Sequence, residues 1–168
     1  MKREERQFIE LSVNGKKHKL YVGNQPDEVA PSETLLETLR NKLDLKGTKP
    51  CCNKGACGAC TVLIDETPVP SCCTLTIECE GREILTIEGL EDPVTGELDP
   101  IQQAFIDRTA YQCGYCSPGV ILVVKALLAH NPKPTEEELQ EALAGNYCRC
   151  GTHHSVIETV MEFTRREA

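Results

Sequence analysis

The sequence has no tryptophan, and only three phenylalanines and four tyrosines among its 168 residues. Aromatic side chains bury the most area each, so the apolar core must be modest. Bound metal is one source of the folding free energy such a core does not supply. Long apolar runs are missing too. The longest, Val120 to Val124, is far shorter than the roughly 20 residues a membrane-spanning helix needs. Basic charge is in the minority: 18 Lys and Arg against 26 Asp and Glu give a formal charge of −8. That balance disfavours a general nucleic-acid binder, which needs a basic face. Internal repeats and low-complexity tracts are absent. The opening Met1-Lys2-Arg3-Glu4-Glu5-Arg6 is not followed by the apolar segment of a secretory signal, so a cytoplasmic location is expected.

Cysteine is what the chain has in plenty. Eleven is an odd number, so complete internal disulfide pairing is impossible. A reducing compartment, with thiolates given to metal, is the economical reading. Eight of the eleven fall into two sets. Cys52, Cys57 and Cys60 follow the order C-x4-C-x2-C, with Cys72 further on, which is the spacing of a plant-type [2Fe–2S] ligand set. Thiolates that converge on a cluster need a loop that wraps close around it. Gly55, Ala56, Gly58 and Ala59 permit that approach, and peptide N–H groups in such a loop favour an anionic group. Four cysteines would serve zinc as well, although zinc sites usually use two short C-x2-C-like pairs. The second set joins Cys113 and Cys116 (C-x2-C) to Cys148 and Cys150 (C-x-C), which alone suits zinc or a second [2Fe–2S] cluster equally. Its flanks favour an anionic cluster. Ser117-Pro118 reads as an N-cap with proline at the first helical position, and Ser155 to Glu158 reads as a capping box. Both pairs would then lie beside helix N-termini, which carry partial positive charge.

Periodicity supplies the frame. Phe8 to Val13 alternates as a half-buried strand does, Asn14-Gly15 is a hairpin turn, and His18 to Val22 returns as the second strand. Ser32 is expected to cap a helix whose buried face is Leu35, Leu36, Leu39 and Leu43. Strands are expected at Thr61–Ile64, Thr74–Ile77 and Ile84–Ile87, with a turn from Asp65 to Pro68. Gly89 to Gly96 is rich in turn formers and acids and reads as a connector. Four helical patterns follow: one from Asp99-Pro100, one through Val120 to Leu128, one behind the capping box Thr135 to Glu138, and one through Val156 to Met161. Short loops between them indicate a compact bundle.

At this point the residues resemble a known family. Gly47-Thr48-Lys49, Cys52, Gly55-Ala56-Cys57-Gly58-Ala59-Cys60-Thr61-Val62 and Val69-Pro70-Ser71-Cys72 are similar to the first cluster motif of the xanthine oxidase family. Gln112 to Gly119 resembles its second motif, and Gly145 to Thr152 its third. The likeness runs from about residue 8 to 162, and the size resembles that of the separate small iron–sulfur subunit of molybdenum hydroxylases. It implies an α+β chain: a plant-type ferredoxin-like (β-grasp) domain over 7–89, a connector over 90–99, and a four-helix-bundle [2Fe–2S] domain over 100–168. It implies metal ligation by Cys52, Cys57, Cys60 and Cys72, and by Cys113, Cys116, Cys148 and Cys150. Gln112 and Cys150 would contact the pterin of a molybdopterin centre held by a large partner subunit. Electrons would pass from that centre through the second cluster, then the first, toward FAD in a medium subunit or another acceptor. The chain would be part of an oxidoreductase without acting on substrate itself. Hydroxylation of purines or other N-heterocycles, aldehyde oxidation, carbon monoxide oxidation and reductive dehydroxylation of an aromatic thioester are all compatible with the likeness. The alternatives are a free-standing two-cluster ferredoxin and a zinc-stabilised interaction module.

The chain departs from the family pattern at Cys51, where glycine is usual, at Cys73, where an aliphatic residue is common, and at Glu66 in place of a turn glycine. The ending Cys150-Gly151-Thr152-His153 differs from the commoner Cys-Thr-Gly-Tyr. Cys79 reads as a buried small hydrophobe. His18 and His130 lack clustered ligand partners and read as surface residues. His153 and His154 read as solvated helix-start positions, the alternative being that they tune the adjacent cluster through hydrogen bonds or touch a partner subunit. Lys54 and Arg149 offset thiolate charge or form surface ion pairs worth little.

Overall fold

The structure, a computed structural model, describes residues 7–166. Strands β1 (Phe8–Val13) and β2 (Lys16–Tyr21) form the expected hairpin. Its turn places Asn14 and Gly15 at φ +52° and +73°, the left-handed geometry that suits the twist of a two-residue hairpin loop. The other strands are β3 (Thr61–Ile64), β4 (Thr67–Pro70) and β5 (Glu83–Leu85), in the sheet order β2-β1-β5-β3-β4. Only β1 and β5 run parallel. The helices are α1 (Leu35–Glu37), which widens into a π-helical turn over Thr38–Lys42, then α2 (Pro100–Asp107), α3 (Ser117–His130), α4 (Glu136–Ala142) and α5 (His153–Arg166). The chain is therefore α+β. No helix among the described residues is long and apolar enough to cross a membrane.

Two buried cores form. Ile9, Leu11 and Val13 of β1 pack with Leu35, Leu39, Val62, Cys79 and Ile84 beneath the sheet. Ile101, Phe105, Val120, Val124, Leu139, Leu143, Val156 and Val160 knit α2 to α5 together. Leu63 of β3 meets Leu122 and Ala126 of α3, so the sheet and the helices share an apolar seam. Hydrogen bonds also fasten the segment after β5 to the hairpin and to the loop after α1. The Asn14 side chain grips Thr86 through its N–H at 2.9 Å and its hydroxyl at 3.0 Å, and the Glu88 carboxylate accepts the Gly47 N–H at 2.6 Å.

Several local expectations need correction. The cap of α1 is Thr34, not Ser32, because Thr34 and Glu37 exchange the reciprocal bonds of a capping box. Thr74–Ile77 is not a strand. Its backbone is already engaged, with Leu35 donating to the Thr74 carbonyl at 2.8 Å and Thr76 to that of Glu33 at 3.0 Å, and the segment coils into 3-10 turns at Ser71–Cys73 and Thr76–Cys79. The turn after β3 is only Asp65 and Glu66, and β4 follows at once. Pro68 and Pro70 are tolerated there because β4 is an edge strand, where a missing N–H breaks no interior ladder. β5 ends at Leu85, and Ile87 belongs to a 3-10 turn. Ser117 is the first residue of α3 and Cys116 its cap, since the Cys116 carbonyl takes the first helical bond from Val120 at 3.1 Å. Ser155 lies inside α5, which starts two residues earlier over the Thr152 carbonyl. The capping box at Thr135 forms as read, and the helix expected from Asp99-Pro100 starts there with a box of its own, between Asp99 and Gln102.

Candidate metal centres

The first set is carried by the loop between α1 and β3 and by the turn after β4. Cys57, Cys60 and Cys72 are buried and Cys52 is half-buried. The loop passes through Gly55 at φ +71° and Gly58 at φ +69°, where glycine is needed. N–H groups point inward: Ala56 donates to the Cys52 sulfur at 3.3 Å. The Lys54 N–H, the Cys57 thiol and the Ala56 N–H bring the Cys52 thiol down to about 7. Burial acts the other way on Cys60, raised to about 11, and also raises Cys57. The thiols meet two by two, Cys52 with Cys57 and Cys60 with Cys72. Arg40 braces the approach to the loop by donating to the carbonyls of Lys46 and Thr48, each at 2.8 Å.

The second set sits where two loops run into α3 and α5. Cys116, Cys148 and Cys150 are half-buried and Cys113 is exposed. Gly114 (φ +75°) and Gly151 (φ +80°) turn each loop between or just after its cysteines. Burial, then the Cys148 thiol, raises Cys116 to about 11. Burial works the same way on Cys148, but the hydroxyl and N–H of Thr152 outweigh it and bring that thiol down to about 7. Gln112 spans the two pairs, its amide donating to the Cys150 carbonyl at 3.3 Å while the residue stays exposed.

All eleven cysteines are free thiols. Among the described residues no three His, Cys, Asp or Glu side chains close around a single-ion point. Cys52 meets Cys57, Cys60 meets Cys72 and Cys116 meets Cys148, in glycine loops with inward N–H groups, while Cys113 and Cys150 flank the last of these contacts in sequence. A cationic group would offset the thiolate charge that burial disfavours at Cys60 and Cys116, and the hydrogen bonds that lower Cys52 and Cys148 already favour the thiolate, so both sets would suit a cationic metal group held by several thiolates.

The two sets are hydrogen-bonded to each other. Tyr147, one residue before Cys148, donates its N–H to the Cys57 carbonyl at 2.9 Å. Asn146 is buried and its amide donates to the Gly58 carbonyl at 3.3 Å. The Tyr115 hydroxyl donates to the Pro50 carbonyl. A Cβ on Gly119 would stand 2.1 Å from the Gly58 oxygen, so α3 starts in contact with the first loop. In the sequence Asn146, Tyr147, Tyr115 and Gly119 are visible only as motif letters, and nothing in their neighbourhood assigns them this task. Of the other residues singled out, Cys79 is buried as expected, His154 pairs with Glu158 at 3.2 Å on the surface, and Arg149 reaches the Tyr147 hydroxyl at 3.0 Å. Cys51 and Cys73 are exposed beside the first set.

Residues 86–161 match the family model described as a [2Fe-2S] binding domain, which makes this an iron–sulfur protein. The chain is 42% identical to the nicotine 6-hydroxylase small subunit of Paenarthrobacter nicotinovorans, over 92% of this chain and 87% of that one. It is 41% identical to the nicotinate dehydrogenase small FeS subunit of Eubacterium barkeri, over 92% and 94%. Among solved structures, quinoline 2-oxidoreductase from Pseudomonas putida 86 superimposes with a TM-score of 0.83 at 36% identity, covering 97% of this chain and 98% of that chain. The aldehyde oxidoreductase of Desulfovibrio desulfuricans gives 0.86 at 34% identity, with 96% of this chain lying on 17% of that one. The chain belongs to the small iron–sulfur subunits of the molybdenum hydroxylase family, a family of oxidoreductase complexes.

Proposed function

We propose that this chain holds two [2Fe–2S] clusters, one on Cys52, Cys57, Cys60 and Cys72 and the other on Cys113, Cys116, Cys148 and Cys150. It relays electrons from a molybdopterin centre in a large subunit toward FAD in a medium subunit, or another acceptor. When bound, such clusters supply one-electron redox chemistry, and the protein supplies position and electrostatics. The reading divides the chain into a ferredoxin-like β-grasp unit over 7–89, a connector over 90–99 and a four-helix unit over 100–168, working in the cytoplasm. Gln112 and Cys150 face the pterin. The reacting substrate binds the large subunit, so this chain is not catalytic on it.

The observation that carries the reading is the bond from the Tyr147 N–H to the Cys57 carbonyl. It joins a residue of the first set to the residue preceding Cys148 by one hydrogen bond and the covalent chain. A relay needs its two centres fixed close together, and a zinc-stabilised interaction module has no such need.

Anaerobically prepared protein should contain about four iron and four acid-labile sulfide per chain. On reduction it should show two distinct electron paramagnetic resonance signals. Cys57→Ser should lose one signal and leave the other largely intact. Zinc in place of iron, or a single diiron unit, contradicts the assignment. A chain that purifies with both clusters but never with a large subunit is a free-standing ferredoxin instead.

A further inference from the structure

Cys73 has no place in either set of four. It follows Cys72 in the 3-10 turn Ser71–Cys73, and the two side chains lie in different surroundings, Cys72 buried and Cys73 exposed. Their sulfurs are nevertheless 3.7 Å apart, within reach of a sulfur hydrogen bond. The Cys73 sulfur also lies back over the first loop, 3.2 Å from where a Cβ on Gly55 would stand. Glycine at 55 leaves the room this thiol occupies. The thiol therefore lies over the loop of Cys52 and Cys57, although the residue as a whole stays exposed.

Direction follows from chemistry. A metal-bound Cys72 has given up its proton and keeps lone pairs, so it only accepts. Cys73 lies outside the four and keeps an S–H to donate. A hydrogen bond to a ligating sulfur draws off part of its negative charge. The reduced cluster, one electron more negative, gains more from that than the oxidised one, so the potential rises.

We propose that Cys73 is a positioning residue that tunes the first cluster: its S–H donates to the Cys72 sulfur and raises that cluster's reduction potential. This rests on the cluster assignment made above. A redox titration followed by electron paramagnetic resonance tests it on the full-length chain with its clusters in place. The proteins compared are the unaltered chain, Cys73→Val, Cys73→Ser and, as a remote control, Cys79→Val in the sheet core. The Cys57→Ser variant identifies which signal belongs to the first cluster.

Cys73→Val should keep its iron and both signals. Poised at the unaltered first-cluster midpoint, its ratio of reduced to oxidised first cluster should fall about threefold or more. Cys73→Ser should recover part of the loss, because a hydroxyl also donates. The second cluster, and both clusters of Cys79→Val, should titrate as before. A Cys73→Val protein whose first cluster titrates unchanged overturns the proposal. So does loss of iron and of the first signal in that variant, which would make Cys73 a ligand rather than a donor. Absence of two diiron signals from the unaltered chain overturns the cluster assignment itself, and iron analysis detects that before any variant is made.

Discussion

At the scale of single residues, the two cysteine sets depend on atoms that are absent. Gly58 and Gly119 meet across the seam, and neither can carry a side chain. A Cβ on Gly58 would stand 2.4 Å from the Asn146 amide nitrogen and 2.7 Å from the Gly145 carbonyl oxygen, at a φ of +69°. Gly119→Ala is expected to cost about 2–3 kcal/mol, because the obstacle is backbone and cannot swing aside. Chemical denaturation measures that loss. Gly145→Ala, where a Cβ meets nothing within 4 Å, should stay within about 0.5 kcal/mol and serves as the comparison. Equal losses in both would contradict the packing argument. The departures from the family pattern also resolve here. Glu66 takes the φ of +67° a glycine would adopt more easily. The turn holds because the Asp65 carboxylate accepts the Glu83 N–H at 3.0 Å and pairs with Arg82 at 2.7 Å.

At the scale of elements, helix starts decide where the loops end. α4 begins with a full capping box: Thr135 accepts the Glu138 N–H at 3.2 Å, and Glu138 accepts that of Thr135 at 2.7 Å. Thr135→Ala should cost about 1 kcal/mol, read as a lowered thermal midpoint. The same box predicts a pH dependence. The Thr135 N–H, then its hydroxyl, holds the Glu138 carboxyl below its usual 4.5. A carboxyl whose folded value lies below its unfolded one contributes stability above the unfolded value, and the contribution disappears as pH falls through the folded one. Asp65 and Asp92 are lowered in the same way, by the N–H groups of Glu83 and Thr95 first. The unaltered protein should therefore lose stability as pH drops below about 4.5, with a shallower acid-side loss in Glu138→Gln, which removes the titrating carboxyl. Parallel acid limbs in melting curves would count against the box. The helix starts at Asp99 and Thr135 were legible because a cap is a four-residue affair. The strand expected at Thr74–Ile77 was not. Its composition suits a strand, but its backbone groups are claimed by Glu33 and Leu35, some forty positions away in sequence.

At the scale of the whole molecule, sheet and helices are fastened along one seam, and both cysteine sets lie against it. Gln112 stands exposed at the second set, its amide donating to the Cys150 carbonyl at 3.3 Å. Its exposure leaves it accessible to the partner proposed above. In the assembled complex, Gln112→Ala should keep both cluster signals and slow reduction of the clusters by substrate about tenfold, measured by stopped-flow absorbance. Unchanged transfer would count against the pterin contact. The sequence by itself determined the eight thiols at ligand spacing and the starts of α2 and α4, because ligand spacing and capping act over a few residues. Only the tertiary structure decided that the two groups touch. The Asn146-to-Gly58 bond spans 88 positions, and no local pattern specifies such a pairing. It forms because packing α3 on β3 leaves the Gly58 carbonyl within reach of a buried amide that has to be satisfied.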